Sequence, residues 1–236
     1  RPAGALRSSP SSSNSAGHGS ASAVARPMHG RPLRPPISMT STSSPCATCP
    51  TNTTASPLPD DVFSHDGQIT KQTVRAVTLA ALSPRPGELL WDVGSGSGSI
   101  AVEWCRSAPG CHAVAFEANA ARRDRVSANA RSFGADVEIR GAAPQDFYGA
   151  GQPDVIFIGG GLTRGGLMQA CIDRLPAGGR LVANAVTAES EALLVEWHSR
   201  LGGELRRFQH YRGEPLGGFT GWRPLMPITQ WTVTML

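Results

Sequence analysis

The chain has 236 residues, 40% of them hydrophobic, enough apolar material for a sizeable core. Its net charge of +4 sits at one end: residues 1–59 hold five arginines and no acid, while residues 60–236 carry 17 basic and 18 acidic side chains. A near-neutral folding segment argues against a nucleic-acid partner, and no run approaches the roughly 18 apolar residues of a membrane span.

Two domains are expected. Residues 1–56 read as a disordered Ser/Pro/Arg-rich tail: residues 1–59 contain no Phe, Trp or Tyr but 13 Ser and 10 Pro, and cannot bury enough surface to offset their ordering entropy. Cys46 and Cys49 are separated by two residues, without a second pair or a following His at ligand spacing, so no metal site is expected. Cys105, Cys111 and Cys171 are scattered, which fits free thiols in a reducing, cytoplasmic compartment. The tail has no hydrophobic signal core; its Arg- and Ser-rich, acid-free composition resembles a transit peptide, although Pro is too frequent for an amphipathic helix, and it reads as a truncated or irregular leader.

From Asp60 onward, short apolar runs alternate with segments of helical period, the pattern of repeated βα units. A helix is expected over residues 71–82 and a strand over 89–93, followed by the turn Asp92-Val93-Gly94-Ser95-Gly96-Ser97-Gly98 that opens a helix near Ser99. A second strand spans residues 112–117, and Val126, Ala130 and Phe133 mark one helical face before Gly134. Strands at 137–140 and 154–158 end on Gly141-Ala142-Ala143-Pro144 and Gly159-Gly160-Gly161. Leu167, Met168, Cys171, Ile172 and Leu175 share a helix face that stops at Pro176, before a strand at 180–185. A last helix carries Leu193, Leu194, Trp197 and Leu201, and two closing strands, antiparallel to each other, cover 204–211 and 228–235. Seven strands in this order predict an α/β fold, Rossmann-like, with a mostly parallel doubly wound sheet and a ligand at the carboxyl ends near the first strand.

Glycines after the first strand let backbone approach a ligand, and the helix N-terminus offers unpaired N–H groups. A dinucleotide fingerprint wants a sixth-position Gly, but counting from Gly94 that position is Ser99, which disfavours NAD. The turn instead resembles the first motif of class I S-adenosyl-L-methionine (SAM)-dependent methyltransferases, in which Asp92 and the loop amides would hold the methionine part of the cofactor. Glu117, 25 residues after Asp92, is placed to accept both ribose hydroxyls. The small residues Gly141, Ala142 and Gly159 leave room for adenine and substrate. The chain lacks both the Asn- or Asp-Pro-Pro-aromatic turn used on planar nitrogens and a Pro-Cys nucleophile for cytosine carbon.

Pro59-Asp60-Asp61-Val62-Phe63, the segment from His65 to Lys71, Trp91 to Ser99, Gly141 to Pro144 and Ile158 to Gly161 together resemble a narrower family: the decarboxylating C15-methyltransferase half of the precorrin-6Y C5,15-methyltransferases of cobalamin biosynthesis. The likeness spans residues 57–236. It implies methylation of C15 of a tetrapyrrole, the precorrin macrocycle, and loss of carbon dioxide from the C12 acetate. Carried over by position, Thr70, Gly94, Ser95, Gly96, Ser97, Gly98, Glu117 and Ala142 would touch the cofactor, and the enzyme would be a homo-oligomer, a tetramer. A C5-methyltransferase domain is expected before Pro57 and is absent from this chain, whose tail has the composition of a GC-rich coding region read in the wrong frame.

Such a substrate carries several carboxylates, for which Arg164, just after the fourth strand, is the best-placed partner, followed by Arg223 and, for its flat indole, Trp222. His65 and Lys71 lie in the leading segment. No general acid or base can be named from the sequence. Two other readings stay open: a class I enzyme acting on RNA or protein, with the Arg-rich tail as its arm, and a non-catalytic SAM-binding relative.

Overall fold

The computed structural model describes residues 57–236. The tail of residues 1–56, with Cys46 and Cys49, lies outside the described residues.

After a single 3-10 turn at Asp60–Val62, α1 (Gln72–Leu82) leads into β1 (Leu89–Val93), α2 (Ser99–Ser107), β2 (His112–Phe116), α3 (Ala120–Phe133) and β3 (Val137–Arg140). Then come β4 (Val155–Ile158), α4 (Leu167–Ile172), β5 (Arg180–Ala185), α5 (Ala188–Leu201) and β6 (Glu204–Phe208). The chain closes with β7 (Tyr211–Leu216), β8 (Phe219–Pro224) and β9 (Ile228–Thr234). The main sheet has seven strands in the order β3-β2-β1-β4-β5-β9-β6, parallel from β3 through β5, with β9 antiparallel to both β5 and β6.

Side chains along a strand alternate between faces, and that period builds two cores from the same strands. Leu90, Val155, Phe157 and Val182 pack on one side with Leu82 of α1 and Ile100 and Trp104 of α2. Trp91, Val93, Ile156, Ile158 and Leu181 pack on the other with Leu167 and Met168 of α4 and Leu194 of α5. Strands buried on both faces read as mostly apolar runs rather than alternating ones, which is why β1, β4 and β5 were legible.

Apart from single-residue shifts at other element ends, three boundaries differ from expectation in ways that bear on the site. Helix α4 stops at Ile172 rather than Leu175, because Arg174 and Leu175 bond back only three residues, to the carbonyls of Cys171 and Ile172. Pro176 disfavours helical backbone at the residue before it, so the last turn tightens. Strand β2 ends at Phe116, which leaves Glu117 as the first residue beyond the strand. The expected strand over 204–211 breaks at Gln209 and His210, and the connection toward β9 is itself a two-stranded hairpin, Tyr211 facing Pro224 and Leu216 facing Phe219 across Gly217-Gly218. A Gly-Gly pair with Gly217 at φ +60 is the chemistry of a tight hairpin turn.

No helix among the described residues is long and apolar enough to cross a membrane. Trp231 on β9 holds the closing strands in place: it is fully buried, lies between Ala183 and Leu205 in register, and donates its indole N–H to the Gly202 carbonyl at 2.9 Å. Replacing Trp231 with Ala should lower stability by about 3–5 kcal/mol in urea unfolding, whereas a loss below about 1 kcal/mol would mean that β9 is not the keystone of this edge.

Candidate active site

The sheet reverses its order of winding between β1 and β4, and a crevice opens where their carboxyl ends diverge. Gly94, at φ +72, turns the chain out of β1. Its amide and that of Ser95 both donate to the Phe116 carbonyl, at 2.9 and 3.1 Å, which pins the loop to β2. A Cβ added at Gly94 would stand 2.7 Å from the Gly160 carbonyl oxygen and 2.8 Å from its Cα, so the loops after β1 and β4 touch backbone to backbone.

Two cavities meet at that contact. The larger, about 490 Å³, is lined by Thr70, Gly94, Ser95, Gly96, Ser97 and Gly159, and by the apolar Ile69, Val74, Phe157 and Ile228. The smaller, about 170 Å³, is lined by Glu117, Ala118, Ala143, Gly161, Arg164 and Leu167. Gly94, Gly160 and Arg122 border both.

Glu117 is buried, its Oε2 accepting from the Gly96 amide and its Oε1 from the Asn119 amide, each at 2.9 Å. One carboxylate thereby ties the glycine loop to the start of α3. Asn129 adds a second clamp: it donates to the carbonyls of Ser97 (2.8 Å) and Ser64 (3.0 Å) and accepts from the Ser64 amide (2.9 Å).

Most sequence candidates therefore converge, but not all line the space. Asp92 lies beneath the loop, 1% exposed, and its Oδ2 accepts from the Ser95 hydroxyl (2.8 Å) and the Ala101 amide (3.2 Å). It braces the turn and the first turn of α2. Gly98 is the N-cap of α2, packed against Val126 rather than facing either cavity. Gly141 is pressed against the Asp146 carboxylate, and it is Ala143, not Ala142, that lines the smaller cavity. Arg164 does reach that cavity and donates to the Ala143 carbonyl at 2.6 Å. Trp222 and Arg223, expected at the cleft rim, stand instead on β8, outside both linings; Trp222 is 77% exposed and Arg223 pairs with Glu214 at 3.1 Å. The hairpin carries its strands away from the crevice, and only its roots, His210, Leu225 and Met226, reach the larger cavity.

Little in the residue pattern pointed to the buried ion network behind the leading segment. Arg75, fully buried on α1, donates to Glu103 of α2 and Asp60, each at 2.7 Å, and to the carbonyls of Thr70 and Leu58. It fixes Thr70 against the cavity. An arginine in a helix reads as a solvated one, and its acids lie 28 and 15 residues away, outside any local pattern. Arg122 was also missed; its guanidinium is held by Asp66 (2.9 Å) and Gln68 (2.6 Å). The Arg122 bond is the largest of the influences that hold the Asp66 carboxyl down at about 2. Among the described residues no cluster of side chains could hold a metal ion.

Burial, more than any other influence, pushes the Asp92 carboxyl from its ordinary 3.8 up to about 6, with Ser95 and Ala101 opposing and Glu117 adding to the rise. Folding raises this pKa, so the folded chain holds the proton more tightly than the unfolded one. The resulting stability is complete below pH 3.8 and lost as pH rises through about 6. Asn at position 92 keeps an acceptor but does not titrate. The stability of wild type minus that of Asp92→Asn, from urea unfolding, should fall between about pH 4 and 6, and a flat difference would contradict this environment for Asp92.

Comparison with known proteins accords with this geometry. Residues 61–235 match the family model described as the precorrin methyltransferase domain. The precorrin-6Y C(5,15)-methyltransferase (decarboxylating) of Mycobacterium tuberculosis is 66% identical over 176 residues, which is 75% of this chain and 45% of that protein. The chain thus spans about half the length of the curated precorrin-6Y C(5,15)-methyltransferases it matches. The probable cobalt-precorrin-6B C(15)-methyltransferase (decarboxylating) of Pyrobaculum calidifontis is 33% identical over 180 residues, 72% of this chain and 92% of its own. The crystal structure of the C-terminal domain of precorrin-6Y C5,15-methyltransferase from Rhodobacter capsulatus superposes with a TM-score of 0.71 at 44% identity, covering 75% of this chain and 97% of that one.

Proposed function

The chain belongs to the precorrin methyltransferase domain family, and on that premise we propose that it methylates C15 of a precorrin macrocycle with SAM and releases carbon dioxide from the C12 acetate, a step of cobalamin biosynthesis. The observation that carries this reading is the meeting of two unequal cavities at Gly94 and Gly160. One is small and bears a buried carboxylate; the other is larger and mostly apolar.

The residues present suit SAM. In the smaller cavity the Glu117 carboxylate has lone pairs left to accept ribose hydroxyls after its two backbone bonds, and Ala118, Ala143 and Leu167 offer an apolar slot for adenine. Gly94, Ser95, Gly96 and Ser97, with Thr70 across from them, would hold the methionine part. Asp92, Gly98, Gly141 and Ala142 act from behind, fixing the loops that make these contacts. When bound, SAM supplies an electrophilic methyl group.

Little acid–base machinery is needed for that transfer, because an electron-rich ring carbon held in line attacks unaided. The chain's work is positioning and exclusion of water. Ile69, Val74, Phe157 and Ile228 give the larger cavity an apolar face suited to a flat ring, and Gly159 keeps the approach to Gly94 free of side chains. Lys71 and Arg122, the lysine and arginine lining it, are natural partners for the ring's carboxylates, and Arg164 serves the neighbouring cavity. Leu216, Phe219 and Trp222, exposed on the β7–β8 hairpin, support the self-association implied by a tetrameric family.

Incubation with the precorrin intermediate and isotopically labelled SAM should give a product heavier by one methyl and lighter by one carbon dioxide; an unchanged substrate mass with active, SAM-binding protein would refute the assignment. Removing the Glu117 carboxylate by substitution with Ala should weaken SAM binding by about 10- to 100-fold in calorimetry, the cost of a hydrogen bond to a charged group, and an unchanged affinity would remove Glu117 from the nucleoside site.

A further inference from the structure

Decarboxylation leaves a carbon that needs a proton, and the larger cavity contains a group suited to give it. Among the described residues, no Asp, Glu, Cys or Tyr lines this cavity; its titratable side chains are Lys71, Arg122 and His210. Arginine side chains do not give up a proton in proteins, and the Arg122 guanidinium is already bound to Asp66 and Gln68. Lys71 stands at the rim with its ammonium 3.8 Å from Asp60. Histidine is the side chain that gains and loses a proton near neutrality.

His210 is also held as a working group would be. It occupies the break between β6 and β7, where its carbonyl accepts from the Leu225 amide at 2.8 Å and its ring meets Phe208 edge-on at 5.6 Å. His210 lines both the larger cavity and an adjoining one of about 430 Å³, the latter shared with Asp60, His65, Lys71 and Arg212. Its Nε2 is sealed from solvent and has no hydrogen-bond partner. A buried polar atom without a partner is costly and calls for an explanation, and a turn of the ring that hands this nitrogen to a bound substrate supplies one.

We propose that His210 is the proton carrier of the decarboxylation, which rests on the C15-methylating, decarboxylating reading above. The bond between the side-chain methylene and its carboxylate carbon breaks, carbon dioxide leaves, and the electron pair passes into the conjugated imines of the ring. That pair returns to the methylene as it takes a proton from the His210 imidazolium, leaving a methyl group. Methylation of the meso carbon releases one proton, so the imidazole recovers what it gave and the count closes without an oxidant, a reductant or an outside acid.

The test uses the full chain with the precorrin intermediate and SAM, reading released carbon dioxide and product mass in single turnovers for wild type, His210→Gln and His210→Ala. Both variants should release carbon dioxide about 10²- to 10⁴-fold more slowly, the usual contribution of a positioned acid, while binding SAM with unchanged affinity. Free imidazole should restore the rate of His210→Ala by about tenfold or more, because it can enter the space left by the ring, and should do little for His210→Gln. Carbon dioxide release at the wild-type rate in either variant overturns the proposal. So does a lost rate in His210→Ala that imidazole leaves unrestored, or a loss of SAM affinity in both variants, since each assigns His210 a structural role. Failure of the wild type itself to release carbon dioxide from the precorrin overturns the parent assignment instead.

Discussion

The crevice depends on one steric constraint: Gly94 and Gly160 approach so closely that a methyl group on the first would overlap the backbone of the second. Two loops that follow adjacent parallel strands ordinarily splay apart. Here they touch, and the contact divides the space above the sheet into a small compartment that bears the Glu117 carboxylate and a larger, mostly apolar one. A sulfonium nucleoside needs just such a division, with its sugar and base on one side of the backbone ridge and its reactive group exposed on the other. Asp92 supports the ridge from below, and Glu117 ties its outer edge to α3.

The walls of the larger compartment come from parts of the chain far apart in sequence, and each is fastened by buried polar groups. Arg75 joins the leading segment to α2 through Asp60 and Glu103. Burial pushes the Glu103 carboxyl above its ordinary range, while the Arg75 guanidinium pulls it back. Burying a charge is expensive unless it is paired and fully bonded, and Arg75 meets that condition with four acceptors. The opposite wall comes from the roots of the β7–β8 hairpin, where β9 is anchored by Trp231 and His210 by the Leu225 amide.

Much of this was legible from the residues because sheet strands and βα turns write short-range patterns. The run at β4 is apolar throughout and those at β1 and β5 largely so, since both of their faces are covered, and the glycines after β1 and β4 mark the two loops that touch. Long-range pairings left no such pattern. Nothing local distinguishes Arg75 from a solvated helix arginine, or His210 from a loop histidine. Trp222 and Arg223 were drawn toward the crevice by their chemistry alone, whereas the Gly217-Gly218 pair between alternating residues was the signal that they belong to a hairpin. That Ala143 rather than Ala142 lines the smaller cavity has the same origin: strand ends locate a loop, but which of its residues faces inward depends on packing, here of Gly141 against Asp146.

The most direct test of the divided crevice is a crystal structure of the protein with S-adenosylhomocysteine. The account predicts the ribose on Glu117, adenine beside Ala118 and Ala143, and the sulfur crossing the Gly94–Gly160 ridge toward Phe157 and His210. A nucleoside lying wholly within the larger cavity, with Glu117 still bonded only to Gly96 and Asn119, would contradict it.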